Sequence, residues 1–556
     1  TTGRIDRFPL GRQDVSERMQ MSEGLYGREA EAAVLLELFE NVSKGKQEIV
    51  MVSGYSGIGK TSLVKEQYRS TTEKNGFFIS GKFDQYRRNI PYSALIEAFD
   101  DLINDLLSAD QEVLETWKDK LIGALGTNGQ IILEVIPELE KIIGPQSPVL
   151  ELGPAEAQNR FHYAFSNFIN VFCDANHPMV IFLDDLQWVD SVSLKFIEHL
   201  GSVAACNYLL LIGAYRDNEV NSSHPLHISL EKWKKEDVHI HHLRLHPLQQ
   251  NHVAQLIADT VKADTEVARD LSDLVFDKTG GNPFFMNQFL LMLTNRKILV
   301  FDLSGRKWRW ELSRVHELGV TDNVVELLIT RLKNLAPQVQ AILQIAACIG
   351  SRFDLHILGI LADQPQGTIL ERLMPALRED LVISLTGASH SDGSNTSGET
   401  VQFRFQHDRV QQAAYALTEK KDLKKLHRRI GLLLNEKLVG EQHDERLFDI
   451  LHHLNQSIDL VRTREEKDKL ARLNLAAGRK SIAAFAFEPA LDYLKIGLSL
   501  IGKSGWSEQY DITLALHKEA VKASCCAGLF EEMESIALEA AEKARHVLDK
   551  SSIFQN

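Results

Sequence analysis

The run GYSGIGKTS (54–62) places glycines, a lysine and a hydroxyl at the spacing G-x-x-x-x-G-K-[ST]. These residue types make chemical sense together when the ligand carries phosphate. Glycines let successive backbone N–H groups curl around phosphate oxygens, and a helix beginning there adds the partial positive charge of its N-terminus. Lys60 reaches the β and γ phosphates, and Thr61 offers a hydroxyl to magnesium. The binding set expected from this run is Gly54, Ser56, Gly57, Ile58, Gly59, Lys60, Thr61 and Ser62. The implied cofactors are ATP or ADP with Mg2+.

The second group is VIFLDDLQWVD (180–190), four apolar residues ending in two carboxylates. If the apolar run is a buried strand, Asp184 and Asp185 stand at its carboxyl end, beside the phosphate loop. Asp184 would hold magnesium through water, and Asp185 would orient or deprotonate the attacking water. A pair of helix-capping carboxylates is the bland alternative. In LLLIGAYRDNEV (209–220), Arg216 follows another apolar run, where a cation can sense a γ-phosphate. An exposed arginine at a strand end is also commonplace. The expected catalytic residues are thus Lys60, Asp185 and Arg216, and the expected metal residues are Thr61 and Asp184.

Four short apolar runs must position these groups: EIVMVSG (48–54), GFFISGKF (76–83), PMVIFL (178–183) and YLLLIGAY (208–215). Helical patterns separate them, and none alternates apolar with polar, which indicates a parallel sheet covered on both faces. The reading is a multi-domain α/β plus α chain. Residues 1–24 are a linker, 25–245 a three-layer P-loop core, and 246–320 a helical lid containing a hairpin at 298–312. Residues 321–420 form a winged helix whose two-strand wing carries the polar loop 387–400. Residues 421–556 form an α-solenoid. There AAGRKSIAAFAFEPALDYL (476–494) echoes EAVKASCCAGLFEEMESIA (519–537), aligning Ala477, Ala484 and Phe487 with Ala520, Ala527 and Phe530. The spacing of 43 exceeds the roughly 34 of a tetratricopeptide repeat. An irregular helical bundle is the other reading.

With 62 Lys plus Arg against 76 Asp plus Glu, the chain carries a formal charge of −14. That balance argues against nucleic acid as the main partner. Five scattered cysteines with no CxxC pair signal neither a zinc ribbon nor a disulfide framework, and suit a reducing cytoplasm. The apolar runs are too short to span a bilayer. The first of the 556 residues is Thr rather than Met, which reads as an excised piece of a longer protein.

Taken in order, LYGRE (25–29), GYSGIGKTS, FLDDLQWVD, IGAYRD, GGNPFF (280–285) and FQHDRVQQAAY (405–415) resemble the STAND ATPases. These are signal-transduction P-loop NTPases related to AAA+ proteins. FDQYRRNIPYSALIEAF (83–99) and AEAQNRFHYAF (155–165) are similar to the predicted-ATPase module of large multi-domain signalling kinases. The resemblance runs from about residue 8 to 550 and implies further roles. Arg28 would pack near adenine and ribose, and Pro283 would press on the adenine after a turn at Gly280 and Gly281. His407 would meet the ADP β-phosphate. Arg28 pairing with Glu29 or Glu31, GGNP as a helix stop, and His407 as an interdomain packing residue are the plainer readings.

The chain has no glycine-rich kinase loop, HRD or DFG triplet. The expectation is an ATP-dependent switch with slow hydrolysis, serving the other domains of a parent kinase. A protein partner would dock on the helical repeats, with nucleotide-dependent self-association. Three rivals stand beside it: a transcriptional regulator, a hexameric motor with Arg160 as its best arginine finger, and a non-hydrolysing scaffold.

Overall fold

The computed structural model describes Met19 and residues 21–554, apart from 23, 86–89, 151–152, 203–205, 237, 304, 313–328, 330, 386–400 and 438–445. The polar loop 387–400 and most of the linker 1–24 lie outside the described residues.

Five parallel strands form the first sheet: β1 (Gln47–Ser53), β2 (Phe77–Lys82), β3 (Met179–Asp184), β4 (Leu209–Tyr215) and β5 (His241–Arg244), in the order β2-β3-β4-β1-β5. Alternation along each strand sends side chains to two separate layers. Ile49 and Met51 of β1 join Ile181, Leu183 and Leu211 in one core. Val50 and Val52 join Val180, Phe182, Leu210 and Ile212 in the other. The helices Glu29–Ser43 and Lys60–Glu73 cover the second layer through Leu35, Phe39, Leu63 and Val64. Ser93–Leu107 and Pro154–Val171 cover the first through Phe99, Phe161, Phe165 and Phe168. The central sheet is therefore a three-layer sandwich, as the apolar runs imply.

The fifth strand is an addition to the four expected. β5 is an edge strand reading HHLR, and only half its residues face inward, so no apolar run marks it.

Residues 246–312 pack around their own core. Val253, Leu256 and Ile257 of the helix Gln250–Val261 meet Leu271 and Val275 of Arg269–Thr279 and Phe289 and Leu293 of Pro283–Asn295. The expected hairpin is present as antiparallel β6 (Leu299–Asp302) and β7 (Lys307–Trp310), with Trp308 closing the core. Met19, from the stretch read as linker, is buried in the same core.

Next come the helices Pro337–Ile349, Leu355–Ala362, Gln366–Arg378 and Asp408–Ala416, joined by a small antiparallel sheet. That sheet has three strands, β8 (Arg352–Asp354), β9 (Val382–Ser384) and β10 (Gln402–Phe405), in the order β8-β10-β9, where two were expected. The extra strand opens a stretch that scans as helix throughout. Asp354 ends it by accepting the Ile357 N–H, which starts the next helix.

The described residues that remain are mostly helical. Arg464–Ala483 pairs with Phe487–Ile501, and Tyr510–Cys526 with Phe530–Lys543. The internal echo falls in register: Ala477 and Ala520 are both fully buried. Ala484 and Ala527 are both C-caps, and Phe487 and Phe530 each begin the second helix. The turn of the first pair inserts into the sandwich. Phe485 packs on Phe161 with ring centroids 5.3 Å apart, Ala484 and Ala486 join the same core, and Lys195 pairs with Glu488 at 3.2 Å.

Candidate functional site

Parallel strands bring all their carboxyl ends to one edge of a sheet, where ligands of open α/β folds bind. β1 ends at Ser53 just before the glycine-rich loop, β2 at Lys82, β3 at Asp184, and β4 at Tyr215 just before Arg216. Because β4 lies between β1 and β3, Arg216 emerges between the loop and the two aspartates.

The loop has the shape of a phosphate cradle. Gly59 has φ +101, caps the helix Lys60–Glu73, and a Cβ there would meet nothing within 4 Å. Gly57 has φ +77, and a Cβ would come within 2.6 Å of Phe284, so only glycine fits under the neighbouring helix. Ser56 Oγ is buried without a hydrogen-bond partner among the described residues. Lys60 is buried and turned back into the loop, donating to the Gly54 carbonyl at 2.8 Å and the Tyr55 carbonyl at 3.1 Å. Burial lowers its pKa, and the nearby Asp184 charge opposes that shift. An oxyanion in the cradle would give this ammonium a better partner than two carbonyls.

Thr61 Oγ1 donates to Asp184 Oδ2 at 2.8 Å, and Asp184 Oδ1 accepts the Asp185 N–H at 2.9 Å. A hydroxyl and a carboxylate in contact are the hard oxygen donors that suit magnesium. Burial, then the adjacent Asp185 charge, raises the Asp184 pKa. A divalent cation would relieve both effects. Thr61 and Asp184 thus fit the metal role expected of them.

Asp185 sits in a left-handed backbone conformation with φ +56. Its Oδ2 pairs with Lys82 at 2.9 Å, while Oδ1 accepts from Gln187 at 2.8 Å and from Arg216 at 3.4 Å. Burial works to raise its pKa, but the Lys82 and Arg216 charges outweigh it and hold the carboxyl well below the usual range. With both carboxylate oxygens engaged and its pKa held low, Asp185 is a weak base in this conformation.

Arg216 is 2% exposed, its guanidinium 4.7 Å from the Trp188 ring. It pairs with Glu219 at 2.8 Å, with Asp185, and with Asp408 from the far side of the chain. Asp408 begins the helix Asp408–Ala416, and His407 caps it. The His407 ring stacks on Phe284 at 4.0 Å. Its Nδ1 lies 3.1 Å from the Arg409 N–H and 2.6 Å from Asp408 Oδ1. Burial, then the nearby Lys82 and Arg216 charges, pushes its pKa well below the ordinary value.

The helix Pro283–Asn295 reaches the loop from a third side. Asn282 caps it by accepting from Phe284 and Phe285, and its Nδ2 donates to the Ser56 carbonyl at 3.0 Å. The Phe284 N–H donates to the Gly57 carbonyl at 3.2 Å. Together these parts enclose a cleft of about 600 Å³ lined by Lys60, Thr61, Asp184, Arg216, Pro283 and His407, among others. The structure therefore brings together the loop, both aspartates, Arg216, Pro283 and His407.

Arg28 stands apart from the cleft lining. It is buried behind the loop, donating to the Ile58 and His246 carbonyls at 3.3 and 2.5 Å, with Glu31 at 3.8 Å. Arg160 donates to the Leu150 carbonyl at 2.8 Å and does not line the cleft. Lys82, Asn282, Phe284 and Asp408 are site residues that sequence reasoning passed over. The last three lie inside motifs already singled out, GGNPFF and FQHDRV.

These features define a P-loop NTPase-like core. Residues 24–212 match the AAA ATPase domain family. Over 98% of its length the chain is 30% identical to hybrid signal transduction histidine kinase G of Dictyostelium discoideum, of which it spans 19%. It is 20% identical over 82% of its length to the peroxide stress-activated histidine kinase mak3 of Schizosaccharomyces pombe, of which it spans 20%. Among solved structures, a STAND protein with a tetratricopeptide repeat sensor from Pyrococcus horikoshii aligns over 95% of this chain and 65% of its own, at 12% identity and a TM-score of 0.43. Residues 24–212 are thus similar to an AAA ATPase domain, and the chain spans about a fifth of the two kinase relatives. Among the described residues, no helix is long and apolar enough to cross a membrane.

Proposed function

We propose that this chain is an ATP-binding conformational switch with slow hydrolysis, working as the regulatory module of a larger multi-domain kinase in the cytoplasm. The observation that carries the proposal is the reach of Asp408 into the cleft, where it holds Arg216. A γ-phosphate is the natural competitor for that guanidinium, since Arg binds phosphate as well as carboxylate. ADP leaves Arg216 with Asp408 and keeps the core (25–245), the helical lid (246–320) and a winged-helix unit (321–420) clamped. ATP draws Arg216 away and frees the third unit, which permits self-association. Hydrolysis restores the clamp.

Lys60 and Arg216 would face the phosphates, with Pro283 and His407 closing over them. Thr61 and Asp184 would hold Mg2+, which supplies charge neutralisation at the phosphates. Asp185 would orient the water once Lys82 or Arg216 releases one of its oxygens. The tetratricopeptide-like repeats (421–556) would receive a protein partner, and the Phe485–Phe161 contact offers a route for that signal into the core. Nucleic acid is not among the proposed partners.

The non-hydrolysing scaffold has one observation in its favour, the full engagement of both Asp185 oxygens. Mass spectrometry of the co-purified nucleotide, with turnover and small-angle scattering, tests the switch. The expected results are retained ADP, measurable phosphate release, and a larger radius with ATP than with ADP. Equal radii in the two states would overturn the switch, and absent turnover would leave the scaffold.

A further inference from the structure

Away from the cleft, three imidazoles meet where the helix Lys420–Lys437 packs on Leu447–Gln456. His427 comes from the first helix, and His452 and His453 from the second. One ring nitrogen of each lies within 4.8 Å of the other two. His427 and His453 are 3% and 2% exposed, with their Nδ1 atoms 2.8 Å apart. His452 is partly exposed, which leaves a way in from solvent.

We propose that His427, His452 and His453 form a binding site for a divalent transition-metal ion of the zinc class.

The chemistry of the group supports this. The cluster is made of imidazole nitrogens, which suit zinc and its neighbours and disfavour magnesium and calcium. Zinc–nitrogen bonds of about 2.0–2.1 Å in a tetrahedron set neighbouring nitrogens about 3.3 Å apart. The 2.8 Å His427–His453 pair would open slightly and His452 would close in from within 4.8 Å. Water would take the fourth position, as at zinc sites with three protein ligands.

An orienting partner is also in place. Tyr415 Oη lies 3.1 Å from His427 Nε2. With Nδ1 on the ion, Nε2 would carry the ring proton and donate to the tyrosine oxygen, the outer bond that metal-binding histidines characteristically make. Tyr415 belongs to the helix that begins at Asp408, so an ion here would sit at the opposite end of the element that holds Arg216.

The test uses the 556-residue chain, stripped with chelator and titrated with Zn2+ by calorimetry and with Co2+ by absorption. The expected result is one ion per chain and the strong visible bands of tetrahedral Co2+. His427→Gln should weaken binding at least about tenfold, and the partly exposed His452→Gln, which is less prone to misfold, should do the same. Tyr415→Phe should weaken it about 10- to 100-fold, the usual cost of losing an outer-shell partner. Circular dichroism checks that each variant is folded. No uptake at stoichiometric Zn2+, unchanged affinity in folded His427→Gln or His452→Gln, or equal affinity for Mg2+ would each overturn the site.

Discussion

Arg216 at the end of β4 is ion-paired with Asp408, a residue 192 positions later in the chain. Both are almost wholly buried, at 2% and 7% exposure, so the pair is a structural link rather than a surface contact. Breaking a buried pair from one side leaves an uncompensated charge, at a cost of about 3–5 kcal/mol. Arg216→Ala should therefore lower the melting temperature sharply. Asp408→Asn keeps the shape and removes only the charge, and should release ADP about tenfold faster or more, since hydrogen bonds to charged groups contribute about 1.5–3 kcal/mol. A fluorescent ADP analogue measures the off-rate. Equal rates for Asp408→Asn and wild type would mean the link does not hold the diphosphate state.

Lys60→Ala should abolish tight ATP binding while the fold survives. Among the described residues its ammonium donates to the Gly54 and Tyr55 carbonyls of its own loop, so the fold does not hang on a long-range hydrogen bond from it. The readout is thermal shift: ATP should stabilise wild type and leave the variant unmoved. Retained stabilisation would show that the phosphates sit elsewhere.

The two aspartates should separate by function. Asp185→Asn should keep ATP bound and slow hydrolysis about a hundredfold or more, the usual cost of losing a group that positions water. Asp184→Asn should chiefly raise the Mg2+ concentration needed, because Thr61 loses its charged partner. Phosphate release across a magnesium titration distinguishes them, and unchanged turnover in Asp185→Asn would refute its role.

Acid should loosen the closed form through His407. Burial beside Lys82 and Arg216 depresses its pKa in the closed state, below the ordinary value of about 6.5. The opened or unfolded state therefore binds the proton more tightly, and stability rises with pH through this range. The penalty is absent above about pH 6.5 and grows as pH falls below it. His407→Gln should flatten that slope between about pH 5 and 7, measured by melting in the absence of nucleotide. An identical slope in the variant would assign the titration to another group.

The parts of the site that the sequence discloses are those whose neighbours are close in the chain. The loop at 54–62, the aspartates closing β3 and the arginine closing β4 each follow an apolar run, which fixes their place at the sheet edge. Lys82 also ends a strand, but its run GFFISGKF carries no second charge to draw the eye, and its partner Asp185 lies more than a hundred residues away. Asp408 was hidden in the same way, because its identity as the Arg216 partner exists only after folding. The missed strands have another cause. β5 is a polar edge strand, and β8 is three residues long, too short to show a period of two. The echo is legible because small residues recur at the C-caps of Arg464–Ala483 and Tyr510–Cys526 and a phenylalanine begins each following helix.

A cleft lined by residues from Met21 to Asp408 cannot be finished early during synthesis. At about 5–20 residues per second, the ribosome delivers His407 and Asp408 roughly 20–70 seconds after the phosphate loop. During that interval Arg216 and Asp185 have each other and Lys82, but not the carboxylate that later completes the pairing. A nascent chain thus meets cellular nucleotide with its cradle formed and its latch unmade. On the proposed switch, the first nucleotide held would be set by supply at the ribosome, before the Arg216–Asp408 pair exists to favour one state.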